Sequence, residues 1–411
     1  MKADKLLKQD GFILVVSLLM LAVLIVIATV AVMMTTTDIK LTSSFNAKKK
    51  AFYAAEAGVE EARARMRLGA ANPINDNHPG ETAWSAYIGL STRAQNMGYN
   101  NLNAMHILVP SEQPDMDYVV KIVHQTDGSG NILYWGDANQ DGVNERTATP
   151  GPGLRNIYLV SSEETYANAT RNIEAEMARV PPVNTPAALY VNAATAVKGS
   201  STHIIGTDAC GGTDLAGIAS SKPDGTIASS GSPTIIGAPS ITYGSTVINV
   251  ANMINTYKGM ANFSYVVNNA SHTASTTPGP GQGWGTPIAG ADLQSPSSCN
   301  VHNIVYYNTE GTDIQLSGGV SGCGMLLVEG NLKMVGGFSW YGLILTTGSM
   351  TLLGGGDKNI TGSVLSGSSA SNAEDDVIGG NTNIIYCSSA VQDQTNFLPL
   401  QLLSWKDKPV P

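Results

Sequence analysis

The chain is poor in the residues that most chemistry needs. Only 13% of its 411 residues are charged and 6% are aromatic, and its four cysteines all lie in the carboxyl half. Its six histidines show no HExxH or other ligand spacing, and no cysteine stands in a CxxC or Cys/His pattern, which argues against a zinc site. No GxSxG elbow and no phosphate-binding loop occurs. A net charge of −9, with no basic stripe interleaved with aromatics, argues against a nucleic-acid surface. No active site is legible, and the expectation is a protein that is not an enzyme.

What is present begins with another absence. From Phe12 to Thr37 there is no charged residue at all. Roughly 20 apolar residues cross a hydrocarbon core of about 30 Å, so this run is long enough to span a bilayer. It is too long for the roughly 7–15-residue core of a cleaved secretory signal. The leader before it carries Lys2, Lys5 and Lys8 against Asp4 and Asp10, a modest bias toward a cytoplasmic amino terminus. Lys48, Lys49 and Lys50 oppose that bias from the far side.

Helical patterning continues past the apolar run. Phe52, Ala55, Val59, Ala62 and Met66 make one apolar stripe at 3,4 spacing. Glu61 and Arg65 form an i,i+4 pair expected on the exposed side. Gly58 is the only candidate breaker, Gly69 is placed as a left-handed cap, and Pro73 prevents resumption. The first half of this helix is expected to face lipid or other helices, and the second to dock on a globular unit.

Residues 69–115 read as loops with one helix around Trp84–Asn96. Strands are expected at Tyr118–His124, Ile132–Trp135, Asn156–Ser161 and Ala169–Ala178. Between two of them, Asp137, Asn139 and Asp141 with Gly142, the carbonyl of Val143, and Glu145 match the first half of an EF-hand calcium loop. Position 12 of that pattern is Ala148, so a calcium site would be incomplete, and the same residues also favour a plain hairpin turn.

Pro181, Pro182 and Pro186 mark a boundary, after which the sequence repeats. Gly311, Gly330 and Gly348 recur at intervals of nineteen and eighteen, and residues 189–206 fit the same template. Each unit offers two short apolar strands that cannot bury their own face, which predicts a short parallel β-helix; a Gly-rich β-sandwich is the alternative. Residues 207–300 read as interrupted coils with a surface insertion, and the NFLPLQLLSW tail as an end cap. Glu310 and Glu329 fall at equivalent repeat positions, where they would stack as a carboxylate pair or stand as solvated turn residues. Glu374, Asp375 and Asp376 read as a solvated acidic turn. If this half is exported, Cys210, Cys299, Cys323 and Cys387 can form two disulfides in any of three connectivities.

The segment KQDGFILVVSLLMLAVLIVIATVAV, followed by KKKAFYAAEAGVEEARARM, resembles the amino terminus of the type IV pilin superfamily. Within it the chain is most similar to PilX-type minor pilins and the large pseudopilins of type II secretion. The resemblance implies a prepilin leader (1–11) cut by prepilin peptidase between Gly11 and Phe12, and N-methylation of Phe12. It implies a long helix (12–68), a pilin-like unit of helix on antiparallel sheet (69–180), and, with the repeat, a β-helix-like unit (181–411, insertion around 207–300). The whole would be α+β and β. The fifth mature residue, usually Glu in major pilins, is Val16. That Glu is thought to pair with a neighbour's terminal amine, and a subunit with no neighbour above it would not need the carboxylate. The implied function is a minor pilin held in the inner membrane by a single pass, carboxyl part periplasmic, and then built into a surface pilus at or near its tip for assembly initiation or surface contact. Its partners would be other pilins. The alternatives are a type II secretion pseudopilin, or a membrane-tethered β-helix that binds or cuts glycans.

Overall fold

A computed structural model describes residues 4–67, 69–70, 73–89, 104–107, 118–138, 144–151, 153–267, 270–273, 283–288, 290, 298–368 and 376–408. Helix α1 (Asp4–Arg65) runs without interruption through the apolar run, Gly58 and the stripe. Ala55, Val59, Ala62 and Met66 are buried, with Phe52 packed partly against them. Burying each larger apolar side chain of this kind stabilises by about 1.5–3 kcal/mol. Gly58 shows why no larger residue stands there. A Cβ on it would lie 2.3 Å from Ser162 Oγ and 2.9 Å from Tyr118 Cδ2, so glycine lets helix and sheet touch. Gly69 adopts φ +76° just past the helix end, as its cap position requires.

The docked half of α1 lies on a sheet of β1 (Ser85–Ile88), β2 (Ala104–Ile107), β3 (Val119–His124), β4 (Tyr134–Gly136), β5 (Glu145–Thr147), β6 (Arg155–Tyr166) and β7 (Ala169–Ala178). The order β2-β1-β3-β6-β7 is antiparallel apart from β1–β2. β6 and β7 form a long hairpin closed at Ala167 and Asn168, both at positive φ, the twist a two-residue turn demands. Where a helix was expected from Trp84, Ser85–Ile88 is instead a strand buried at every position; pairing on both edges outweighs the local helical pattern. Residues 90–96 of that expected helix lie outside the described residues.

From Ala187 the strands of a second sheet pair in parallel and curl through three faces, and Pro287–Ile288 with Ser298–Cys299 form a separate short antiparallel pair. Along the first face run, in spatial order, residues 263–266, 303–308, 324–328, 342–346, 362–366, 189–191, 218–220 and 241–242. The second carries 270–273, 313–317, 331–335, 350–353, 376–378, 195–198 and 227–230. The third carries 320–324, 338–342, 358–361, 382–385, 203–205 and 234–236. The chain therefore winds residues 187–242 at one end, crosses over, and winds back from 263 to 385 until its last coil stacks on its first.

The crossover is helix α2 (Val250–Lys258), capped by the side chain of Asn249, with Val250, Ile254 and Tyr257 buried on the first face. The surface insertion expected over 207–300 is thus narrower, because coils continue to Thr242. The tail also departs from expectation. After helix α3 (Ser388–Asn396), the strand Gln401–Lys408 does not cap a coil; it pairs antiparallel with β7 and ends the first sheet. The tail covers the β7 edge opposite β6 from Ala178 to Asn172, with one register shift between Leu402 and Ser404.

Glycine makes the tightest corners. Gly324, Gly342 and Gly362 sit in register on successive coils, at φ +113°, +133° and +137°. A Cβ on Gly342 would come within 2.1 Å of Gly324 O, so no side chain fits between the coils.

Candidate functional site

The apolar half of α1 touches no other element of the described chain. Phe12 is 72% exposed, Phe45 67%, and nearly all between them are exposed. An apolar surface of this length left bare calls for a membrane or other helices. The few polar groups within it are satisfied without water. Ser17, Thr29, Thr35, Thr36 and Thr37 each donate a hydroxyl to a carbonyl one turn back, at 2.8–3.0 Å. Gly11 and Phe12 stand near the start of this helix, and Val16 faces outward at 43% exposure.

Glu61 and Arg65 pair at 2.5 Å, but the pair is partly buried rather than exposed, and Tyr118, just before β3, reaches Glu61 at 3.4 Å. Burial, together with that carboxylate, pushes the Tyr118 hydroxyl up to about 12.

Under the sheet lies a polar cluster that the sequence did not advertise. Asp76, in the loop after α1, accepts from His124 Nε2 at 2.9 Å and Tyr158 Oη at 2.8 Å. Asn156 Nδ2 reaches Pro79 O at 2.7 Å, and Trp84 stacks on the His124 ring at 5.0 Å. Burial pushes the Asp76 carboxyl up, but hydrogen bonds from His124 and Tyr158, the charge of His124, and the backbone N–H of His78 outweigh it and hold the group below its ordinary 3.8. The cluster anchors the loop that follows α1.

Of the calcium candidates, Asp137 and Glu145 flank the β4–β5 hairpin, where Gly136 pairs with Glu145. Asn139, Asp141 and Val143 lie outside the described residues. The carboxylates of the repeat do not pair. Glu329 stands opposite Asn308, while Glu310 sits in a bulge at φ +52° that shifts the register before Asp313. Glu329 instead accepts from Tyr306 Oη and pairs with Lys258 Nζ at 3.3 Å, and the Tyr306 hydrogen bond, then the lysine, hold its carboxyl low. Of the acidic turn, Glu374 and Asp375 lie outside the described residues. Asp376 is fully buried and accepts from Met350 N at 2.7 Å and Ser366 Oγ at 3.0 Å. Met350 on the neighbouring coil and Ser366 on its own coil, not solvent, hold its Oδ1.

The four cysteines form Cys210–Cys387 and Cys299–Cys323, with Cα–Cα distances of 5.1 and 6.3 Å. The first pair ties the opening coils to the start of α3, across 177 residues of sequence. Asp208 lies beside these two sulfurs, the one metal-like cluster among the described residues; sulfurs bonded to each other are not thiolate ligands. Neither α2 nor α3 was foreseen. For α2 the signal was there, since Asn249 precedes Val250, Ile254 and Tyr257 at helical spacing. For α3 it was not: the cap is the sulfur of disulfide-bonded Cys387, which accepts from Ala390 N at 3.3 Å.

The PilX N-terminal family model matches residues 10–60, the apolar run and most of the docked half of α1. No curated protein matches the chain. Among solved structures, the competence-associated pilin ComZ from Thermus thermophilus is similar over 88% of this chain and 97% of its own, at 12% identity and a TM-score of 0.21, a likeness too low to add to the fold or the site. The family match falls on the segment whose bare apolar surface calls for a helical or lipid environment, and over residues 10–60 the chain is similar to the PilX N-terminal region.

Proposed function

We propose that the chain is a minor-pilin structural subunit, stored in the inner membrane by its apolar helix and then drawn into a pilus by the same surface. The observation that carries this is one continuous helix whose first half is bare and apolar and whose second half is fastened to a sheet. Such a helix transmits the position of its bare apolar half to the head, which a flexible tether does not. In this reading prepilin peptidase cuts between Gly11 and Phe12, Phe12 is methylated, and the head is periplasmic before assembly. The head is large for a packed shaft, and Val16 leaves no carboxylate for a terminal amine above it. Both favour the tip, and we read the curled parallel sheet as a short β-helix displayed there for assembly initiation or surface contact.

The test is the mass of the amino-terminal peptide from cells with and without prepilin peptidase. A peptide beginning at methylated Phe12, lost without the peptidase, is expected. An intact leader in both strains would make the protein a tethered glycan-binding protein or enzyme, a reading the curled sheet also suits. Fixed stoichiometry with the major pilin along the shaft would sink the tip position, and copurification with a secretion system would reassign the subunit as a pseudopilin. We further propose weak calcium binding at the β4–β5 hairpin by Asp137, Asn139, Asp141, Val143 and Glu145. A calorimetric titration without heat at millimolar calcium would remove it.

A further inference from the structure

The strongest unassigned feature is the charge around the point where α1 leaves its apolar run. In a chain of net −9, residues 38–50 carry four lysines (Lys40, Lys48, Lys49, Lys50) against one aspartate, Asp38. Lys48 and Lys49 are exposed, on a helix that docks on the sheet only from Ala47 onward. Beside them the tip of the β6–β7 hairpin overhangs the helix, with Lys50 Nζ 3.0 Å from Tyr166 Oη and 4.7 Å from the ring centroid. Between helix and hairpin tip runs an open groove of about 860 Å³. One helical face lines it, from Thr35, Asp38 and Ile39 at the apolar end through Ser43 and Asn46 to Lys49, Lys50 and Tyr53, so that Asp38 sets one carboxylate near the apolar end and the two lysines lie at the other.

We infer that this lysine collar and groove bind anionic phospholipid headgroups while the subunit is held in the membrane. The inference rests on the reading of residues 12–37 as a membrane span. Lys48 lies eleven residues beyond Thr37, about 16 Å along the axis. Side chains on a helix lean toward its amino terminus, here the membrane side, and long lysine stems close the gap further. What remains is comparable to the headgroup layer plus a Debye length of about 8 Å. That face has matching chemistry at each depth: Ile39 for an acyl chain, hydroxyl and amide groups for glycerol, and ammonium groups for phosphate. Tyr53 and Tyr166 are the amphipathic aromatics that favour this interface. The remainder of the head is strongly acidic and is repelled by an anionic surface, so the collar is the part of the molecule that complements it. The collar thus seats the head at a defined height above the bilayer until extraction.

The full-length protein, reconstituted in lipid discs of equal phosphatidylglycerol and phosphatidylcholine, tests this by native mass spectrometry of the lipids it retains. Enrichment of phosphatidylglycerol by about tenfold is expected, falling with added salt. It should be lost in the Lys48→Gln, Lys49→Gln variant, which leaves the Lys50–Tyr166 contact in place and keeps helix-forming residues. Equal retention of both lipids, or enrichment untouched by that variant and by Lys50→Gln, overturns the inference. Displacement by inorganic phosphate would replace the lipid with a free-anion site. A chain that fails to insert would overturn the inference together with the membrane reading, whereas insertion without lipid preference removes the collar alone.

Discussion

The two sheets solve the problem of burying apolar surface in opposite ways. The first borrows its cover: an antiparallel sheet lays one face on α1, and a glycine, Gly58, sets how close the helix comes. The second is covered mostly by its own curl, around side chains such as Trp284, Tyr307 and Trp340, with α2 laid on its first face. In the first sheet register is set by antiparallel pairing around the long β6–β7 hairpin; in the second it is set by stacking, and glycines at the corners permit it. A borrowed cover yields locally when one contact is lost, while a self-covered stack fails along its length.

That contrast is sharpest at the glycine ladder. Gly342→Val places a side chain at φ +133° against Gly324 O, and a loss of about 4 kcal/mol or more is expected, seen as failure to fold or a collapsed urea midpoint. If the variant folds normally, the coils are not packed by stacking. Next comes the closure of the stack. Replacing Cys210 and Cys387 by Ser removes a crosslink over 177 residues and should cost about 3–5 kcal/mol, more than the same change at Cys299 and Cys323, whose separation is 24. Equal effects in thermal melts would contradict the ordering by loop length.

Gly58→Leu should cost about 2–3 kcal/mol and act on the other side of the comparison. The helix must lift from Ser162 and Tyr118, so hydrogen exchange should rise in β3 and β6 while the curled sheet stays protected. Loss of protection in both would mean that the two sheets fold as one unit. The smallest expected effect is electrostatic. The folded Asp76 carboxyl titrates below its ordinary 3.8, so its contribution is present above about pH 4 and is lost as pH falls through the lower folded value. Asp76→Asn should flatten that acid limb in a stability-against-pH series; an unchanged limb would show that the cluster carries no charge of consequence.

Much of this was open to sequence reading. Tyr118–His124 and Ala169–Ala178 fell where strands are observed, since alternation along a half-buried strand is a local signal. The recurrence of Gly311, Gly330 and Gly348 anticipated a curled parallel sheet, yet it misled at Glu310, because between Asn308 and Asp313 a bulge takes up three extra residues against Glu329–Asn331 and shifts the pairing. The first strand, Ser85–Ile88, was hidden because pairing on both edges is not written in its own residues.

The apolar helix, its amphipathic continuation and the repeat in the carboxyl half could be read from the amino-acid order alone, because each is a pattern of neighbours along the chain. Only the tertiary structure decided which cysteines pair, that the last coil stacks on the first, that the carboxyl-terminal strand closes the amino-terminal sheet, and that Asp76 meets His124. Those joins link segments far apart in the chain, and what selects them is the fit of whole surfaces, in which every buried donor and every exposed edge must find its match at once.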